Sequence, residues 1–303
     1  MERPLLACCG SRKNMGNQIL ALLYNAGEGF VSVVPVWFVH FSAVVLGFFS
    51  FLFDWKKKYV FRNLRITTNK TGIKLFFAVV SLYENFALNI SDYFIIVTKG
   101  VDKIKFLTPV DEVRKGLLEL KEGKGLVVPT AHLGNWELAG VLGGLAGFRL
   151  HGIGLPQVNE EVERFYKEFR DKYNVVVHPF QGGFIGAFRG VREGEIATIV
   201  SDRDINKDGV CVKFFGRNVT FPRGAATLAY RTKVNSVFAT LIREGSGYRL
   251  YLSDVIDADF NLSEEEFSKV YVQKFANVLE SFIKRFPTQW HHFFDYFKEY
   301  SCS

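Results

Sequence analysis

The sequence predicts an α/β protein, a β-sheet flanked by helices, carried behind an N-terminal membrane-anchoring helix. Three observations carry that expectation. From Gly125 onward, short β-branched runs alternate with amphipathic stretches of helical length. Upstream, the 24 residues from Phe30 to Phe53 contain no Asp, Glu, Lys or Arg. The composition, 31 Phe against 8 Pro in 303 residues, is that of a chain with ample core and neither disorder nor low complexity. Such a length suits one domain of ~250 residues with an accessory segment.

Residues 1–29 are mixed, with Arg12 and Lys13 before an apolar stripe at Ile19, Leu20, Leu22 and Leu23, the pattern of a short interfacial helix. The run 30–53 would extend on the order of 36 Å as a helix, enough to cross a bilayer. Pro35, His40 and the many Val residues leave two forms open, a span or a deeply embedded helix. Lys56-Lys57-Lys58 follows it instead of a small-residue cleavage site, which argues against a cleaved signal peptide. Lys56, Lys57, Lys58, Arg62, Arg65 and Lys70 outweigh Arg12 and Lys13 on the other flank. The positive-inside rule then leaves everything after the segment in the cytoplasm, with the lysines against an anionic bilayer surface. The chain divides accordingly into an N-terminal segment and anchor, 1–60, and a single α/β domain, 61–303.

Residues 75–97 form a second apolar stretch, but Glu84, Asn85, Asn89 and Asp92 interrupt it, which suits a buried or surface-docked helix better than a second span. Asp111 to Glu122 reads as an amphipathic helix. Strands are expected at 126–130, 149–154, 174–179 and 196–201, with helices at 136–147, 160–172 and 184–192 between them. A loop rich in Asp and Gly follows. Pro222-Arg223-Gly224 starts another helix, running to Thr232, and strands near 234–242 and 248–255 come next. The capping box Ser263-Glu264-Glu265-Glu266 opens a helix reaching Arg285, and an aromatic tail, Trp290 to Tyr300, closes the chain.

The net charge of +7 and a pI near 9.1 bias the partners toward polyanions, among them anionic lipid and nucleic acid. A nucleic-acid motif is lacking and a membrane anchor argues against that partner. Cys8, Cys9, Cys211 and Cys302 form no CxxC pair and no metal-ligand spacing. The expectation is therefore no disulfide framework, no zinc site and a reducing compartment.

The chemistry concentrates in Thr130-Ala131-His132-Leu133-Gly134-Asn135-Trp136-Glu137-Leu138, a turn between a buried strand and a helix. On one helix, five steps would set His132 and Glu137 roughly 140° apart. The turn removes that objection: Gly134 takes positive φ, Asn135 caps the helix, and Glu137 falls in its first turn, where the dipole favours a carboxylate. His132 can then donate one ring N–H to Glu137 and keep the other nitrogen as a base toward an alcohol. The plainer reading is a partly buried histidine bonded to a neighbouring carboxylate.

HLGNWEL after a strand resembles the His-x4-Glu motif of the glycerolipid acyltransferase superfamily, and within it the bacterial lipid A late acyltransferases (lauroyl and myristoyl transferases). Lys56 to Leu64, KKKYVFRNL, is similar to that family's basic segment ending in Asn-Leu, and Tyr83-Glu84-Asn85 to its glutamate-bearing helix. Arg170 falls where the family carries an arginine. Asp202-Arg203-Asp204 and the segment Gly209 to Gly216 resemble its aspartate segment and phenylalanine-glycine turn, and Arg223-Gly224 continues in order. The likeness covers residues 15–295. It implies a mixed central β-sheet, the cytoplasmic side of a bacterial inner membrane, and transfer of a fatty acyl chain from an acyl carrier protein or coenzyme A thioester to a hydroxyl of a membrane glycolipid such as a lipid A precursor.

By the same resemblance His132 is the general base, Glu137 orients it, and Asn135, Arg170, Asp202 and Arg223 meet substrate. Arg170 and Arg223 would hold phosphate or sugar groups, Arg170 alternatively the thioester oxyanion, and Asp202 would position a sugar or an arginine. Neither a bound cofactor nor a metal is implied. His151, His178, His291 and His292 are not spaced as a metal set with His132 and are read as structural. Arg203 stands where the lipid A enzymes carry Gln, and the tail Gln289 to Phe297 lacks their basic ending, which bears on the acceptor more than on acyl transfer. A membrane-associated lipid hydrolase is the first alternative, although no G-x-S-x-G elbow is present. The second is a non-catalytic, membrane-tethered lipid- or partner-binding protein.

Overall fold

A proline decides how the apolar N-terminal run becomes helix. The computed structural model describes residues 22–155 and 160–302. Residues 22–33 are helical (α1), and Pro35, which has no N–H to continue that helix, stands before α2, Val36–Phe53. The single helix expected over 30–53 is thus two, and α2 extends about 27 Å. Its residues Val39, Ala43, Gly47 and Phe51 form one buried stripe at helical spacing. Gly47 is required there, because a Cβ would lie 2.8 Å from the Glu84 Cα of the neighbouring helix. The other faces, with Trp37, Phe41, Leu46, Phe49 and Phe53, are exposed.

That neighbouring helix, α4 (Gly72–Lys99), is joined to α2 through the basic helix α3 (Lys57–Thr68). Both α2 and α4 are long and apolar enough to cross a membrane by length and composition. Three of the polar interruptions of α4, Asn85, Asn89 and Asp92, have hydrogen-bond partners. Asp92 accepts from His40 Nε2 of α2 at 2.7 Å and also bonds Arg243 and the Tyr248 hydroxyl.

Beyond α4 come β1 (Lys105–Phe106), α5 (Val110–Lys121), β2 (Leu126–Thr130), α6 (Trp136–Leu145), β3 (Leu150–Gly154), α7 (Glu160–Lys172) and β4 (Val175–Pro179). Then follow α8 (Phe184–Arg192), β5 (Ile196–Val200), β6 (Val210–Phe214), β7 (Arg217–Phe221), α9 (Gly224–Thr232), β8 (Val237–Glu244), β9 (Gly247–Val255), α10 (Glu264–Arg285) and α11 (Tyr296–Glu299). Among the described residues, β2, β5, β3 and β4 form a parallel sheet in the order β2-β5-β3-β4. The bridge Val127–Ser236 joins β2 to the chain just before β8, so the antiparallel pair β8–β9, with β1 at its edge, continues it as a mixed sheet.

Helices cover both faces of this sheet, which is why β2 reads as an unbroken apolar run. Val127 points into the core built with Ala225, Leu228 and Phe275 of α9 and α10, whereas Leu126 and Val128 point into that of Val113, Leu138 and Phe169 from α5, α6 and α7. The capping box of α10 forms as its sequence dictates, Ser263 and Glu266 exchanging bonds.

Two expectations change here. The Asp/Gly-rich stretch after β5 leads into the hairpin β6–β7, whose turn sets Phe215 and Gly216 at positive φ. The cysteines do pair: Cys211 on β6 and Cys302 form a disulfide with Cα atoms 6.1 Å apart. Spacing rules missed it because the partners lie 91 residues apart and meet only when the C-terminal segment aligns along β7 through the bridge Val219–Ser301. Cys8 and Cys9 lie outside the described residues.

Candidate active site

Parallel pairing between β2 and β5 places two side chains together. The pairs from Leu126–Ile196 to Thr130–Val200 keep one constant offset, and the Ser201 N–H still donates to Thr130 O at 2.8 Å beyond the last of them. Two residues past the strand ends, the same offset sets His132 beside Asp202. The site therefore lies at the carboxyl ends of adjacent parallel strands, where open α/β sheets hold their ligands.

Asp202 accepts from His132 Nδ1 at 2.7 Å through Oδ1 and from the His132 backbone N–H at 3.0 Å through Oδ2. Oδ2 also accepts from Trp290 Nε1 at 3.1 Å and bonds His292 Nε2 at 3.0 Å. Its side chain is fully buried, and burial alone would raise its pKa. The imidazoles of His132 and His292 instead hold it well below the usual carboxylate range. The Tyr296 phenol, pushed up by burial and by the Asp202 charge, stays protonated and donates to the Asp202 backbone carbonyl at 2.8 Å.

With Nδ1 engaged, His132 has Nε2 as its remaining nitrogen, on a side chain 19% exposed. The Trp136 ring lies edge-on at 4.9 Å. The turn carrying His132 is fixed from several sides. Gly134 has φ +67°, and a Cβ there would fall 2.2 Å from Leu241 O. Its N–H donates to Gln289 O, the Asn135 N–H donates to Leu241 O, and Asn89 donates to Gly134 O at 2.9 Å. The His291 N–H bonds His132 O at 2.8 Å, tying the C-terminal segment to the same turn.

Four of the predicted residues form two pairs, with Asn135 and Arg223 outside both. The partner of His132 is Asp202 rather than Glu137, which corrects the expected His132–Glu137 pair. Glu137 does occupy the first turn of α6, but both its oxygens accept from Arg170 of α7, Oε1 from Nη2 at 2.8 Å and Oε2 from Nε at 3.2 Å. Burial would lower the Arg170 pKa, and Glu137 more than offsets this and raises it. Asn135 caps α6, accepting from the Leu138 N–H, and its amide donates to the Tyr248 hydroxyl at 3.3 Å. Those bonds give it a structural task. Arg223, exposed at the start of α9, donates to Asp208 O at 3.0 Å.

The tail adds what motif spacing missed. Among the described residues, His132, Asp202 and His292 are the group whose potential ligand atoms converge, within 4.8 Å, although sequence spacing had set His292 apart. Their contacts are hydrogen bonds, with Asp202 filled by N–H donors. Burial takes both His291 and His292 down to a pKa of about 3. The one sequence signal for this was the Trp-His-His run of the aromatic tail, close in space but remote along the chain.

Comparison with known proteins gives the family of the chain. Residues 78–299 match the family model described as bacterial lipid A biosynthesis acyltransferase. The phosphatidylinositol mannoside acyltransferase of Mycolicibacterium smegmatis is 27% identical over 178 residues, 57% of this chain and 56% of that protein. That of Mycobacterium tuberculosis is 26% identical over 200 residues, 62% of this chain and 60% of its own. The chain thus spans less than two thirds of the length of the curated relatives it matches. With the matched region including the His132 turn, Arg170, Asp202 and most of the tail, the chain belongs to the bacterial lipid A biosynthesis acyltransferase family.

Proposed function

We propose that this protein is a membrane-bound O-acyltransferase, moving a fatty acyl chain from an acyl carrier protein or coenzyme A thioester to a hydroxyl of a phosphate-bearing membrane glycolipid. The observation that carries this reading is the His132–Asp202 pair, an imidazole with one nitrogen held by a buried carboxylate and the other left for chemistry, in a chain of this family. His132 Nε2 takes the proton of the acceptor hydroxyl as its oxygen attacks the thioester carbonyl. The tetrahedral intermediate collapses with loss of the thiolate, and the imidazolium returns the proton to that sulfur. Asp202 holds the Nδ1–H tautomer and balances the transient positive charge. Arg170, fixed by both oxygens of Glu137, is the cation assigned to the acceptor phosphate or to the developing oxyanion.

The acceptor is a lipid, so the site must work at a bilayer. Support comes from the exposed apolar faces of α2, with the cations Lys56, Lys57, Lys58, Arg62 and Arg65 immediately after it. That collar favours the cytoplasmic face of a bacterial inner membrane, with residues 61–303 as one acyltransferase domain on that side.

Mass spectrometry of lipids from cells with and without the gene tests the reading. The expected result is one glycolipid lacking a single acyl chain in the deletion strain and regaining it on complementation, but not with His132→Ala. An unchanged lipid profile counts against acyl transfer, and free fatty acid released without an acylated product points to hydrolysis.

A further inference from the structure

Asp202 is shared by two imidazoles, and the mechanism above uses only one. The second, His292, is 1% exposed and sits among rings: Trp290 edge-on at 4.4 Å, Tyr296 at 4.6 Å and Phe294 at 5.3 Å. Its protonation pattern follows from its partners. Arg203 directs Nε–H at His292 Nδ1, 3.2 Å away, and Nη2 at His291 O, 3.1 Å away, with its guanidinium over the Phe294 ring. A guanidinium donates and never accepts. His292 Nδ1 is therefore the acceptor, and the proton of the neutral ring resides on Nε2, which faces Asp202 Oδ2 at 3.0 Å.

Oδ2 then receives the N–H groups of His292, Trp290 and the His132 backbone, donors that cannot exchange roles with it. Three fixed donors on one oxygen set the carboxylate plane and leave Oδ1 to the His132 ring. We propose that His292 is a positioning residue for the His132–Asp202 pair, its tautomer set by Arg203, so that Asp202 presents one oxygen and a moderated charge to His132. The proposal rests on the reading of His132 as a base. It assigns a task to two features the family resemblance leaves unexplained, the arginine between the two aspartates and the Trp-His-His tail.

Loss of the His292 donor concentrates the Asp202 charge on His132. A stronger carboxylate stabilises the imidazolium, so the base stays protonated to higher pH. Removal of the Arg203 cation acts in the same direction. Among the described residues the ionisable groups around the pair are His132, His291, His292, Arg203, Asp204, Tyr296 and Tyr300, and of these His292 is the one that bridges Arg203 to Asp202 by hydrogen bonds.

The test uses the full chain with His292→Phe, His292→Gln and Arg203→Met, read by two measurements. The first is the pH profile of kcat/KM for acyl transfer. His292→Phe is expected to lower kcat roughly ten- to a hundredfold, by analogy with outer partners of functional histidines, with KM little changed and the acid limb moved to higher pH. Glutamine, which offers an N–H in place of Nε2, restores the limb and most of the rate. Arg203→Met moves the limb the same way by a smaller step. The second measurement is the low-field proton resonance of His132 Nδ1–H, which needs no turnover and shifts in His292→Phe but not in His292→Gln.

A limb and a resonance unchanged in both His292→Phe and Arg203→Met, with only thermal stability reduced, overturn the proposal and leave His292 as core packing. If the phenylalanine variant does not fold, Arg203→Met decides the matter by the same two readouts: a moved limb and resonance support the proposal, and both unchanged overturn it. Absence of acyl transfer in the unmodified chain, with the resonance still responding to His292→Phe, would fault the functional reading and leave the positioning role standing.

Discussion

Asp202 accepts the Nδ1–H of His132 at 2.7 Å from 70 positions further along the chain, because β2 and β5 run parallel side by side and both residues lie two steps past their strand ends. The pairing is a property of strand register. Any change that alters how the His132 turn leaves β2 therefore alters the pair.

Gly134 is the position most sensitive to such a change. Its φ of +67° and the 2.2 Å approach to Leu241 O leave no room for a side chain. Gly134→Ala is expected to destabilise the fold by about 2 kcal/mol or more, since strain and overpacking add. Acyl transfer should fall further than stability alone explains. Denaturant unfolding alongside turnover at a temperature where the variant stays folded checks both.

Glu137 and Arg170 should behave as a unit separate from His132. Both side chains are partly exposed, 25% and 13%, so the pair contributes less than a fully buried one. Either single truncation, Glu137→Ala or Arg170→Ala, is expected to cost on the order of 1–2 kcal/mol and, if Arg170 meets the proposed phosphate-bearing acceptor, to weaken its use. In the double variant the two losses should not add. A double-mutant cycle on stability and on acceptor KM reads the coupling.

Stability should decline with acid in a defined window. His291 and His292 have folded pKa values of about 3, below the ordinary histidine range, so between about pH 6.5 and 3 the unfolded chain binds protons the folded one does not. The stability contributed by keeping them neutral is complete above that range and lost as pH falls through it, by up to about 1.4 kcal/mol per pH unit for each ring. Asp202, held well below the usual carboxylate range, adds a further loss below about pH 4. Urea unfolding from pH 8 to pH 4 measures the slope, and His292→Gln should make it shallower.

Much of the frame was legible in sequence. The alternation from Gly125 onward gave strands and helices within a few residues of their observed ends, because β-branched runs and amphipathic periods report local geometry. Gly134 and Asn135 take the backbone tasks read from their residue types. What stayed hidden was non-local. That β5 inserts beside β2 is a matter of strand order, and so sequence points to Glu137, near along the chain, where the carboxylate bonded to His132 is Asp202. The Trp290–His292 segment and the Cys211–Cys302 bridge depend on the C-terminal segment returning across the sheet edge, which no spacing rule contains.

The bridge makes its own expectation. Maleimide labelling of the unreduced full chain should leave Cys211 and Cys302 unmodified, and both should label after reduction. Because disulfides in the cytosol are uncommon, labelling of both without reductant in the purified chain would mean that the pair is a dithiol in the working protein.

The role proposed for Asp202 is to set up His132 for acyl transfer. Its most direct test is the single-turnover rate of the purified Asp202→Asn variant with an acyl thioester and the glycolipid acceptor, product being counted by mass spectrometry. Asparagine keeps the volume but not the charge that fixes the Nδ1–H tautomer. A fall of roughly 10³–10⁴-fold is expected, with the fold retained by circular dichroism. A rate close to that of the unmodified chain would contradict it.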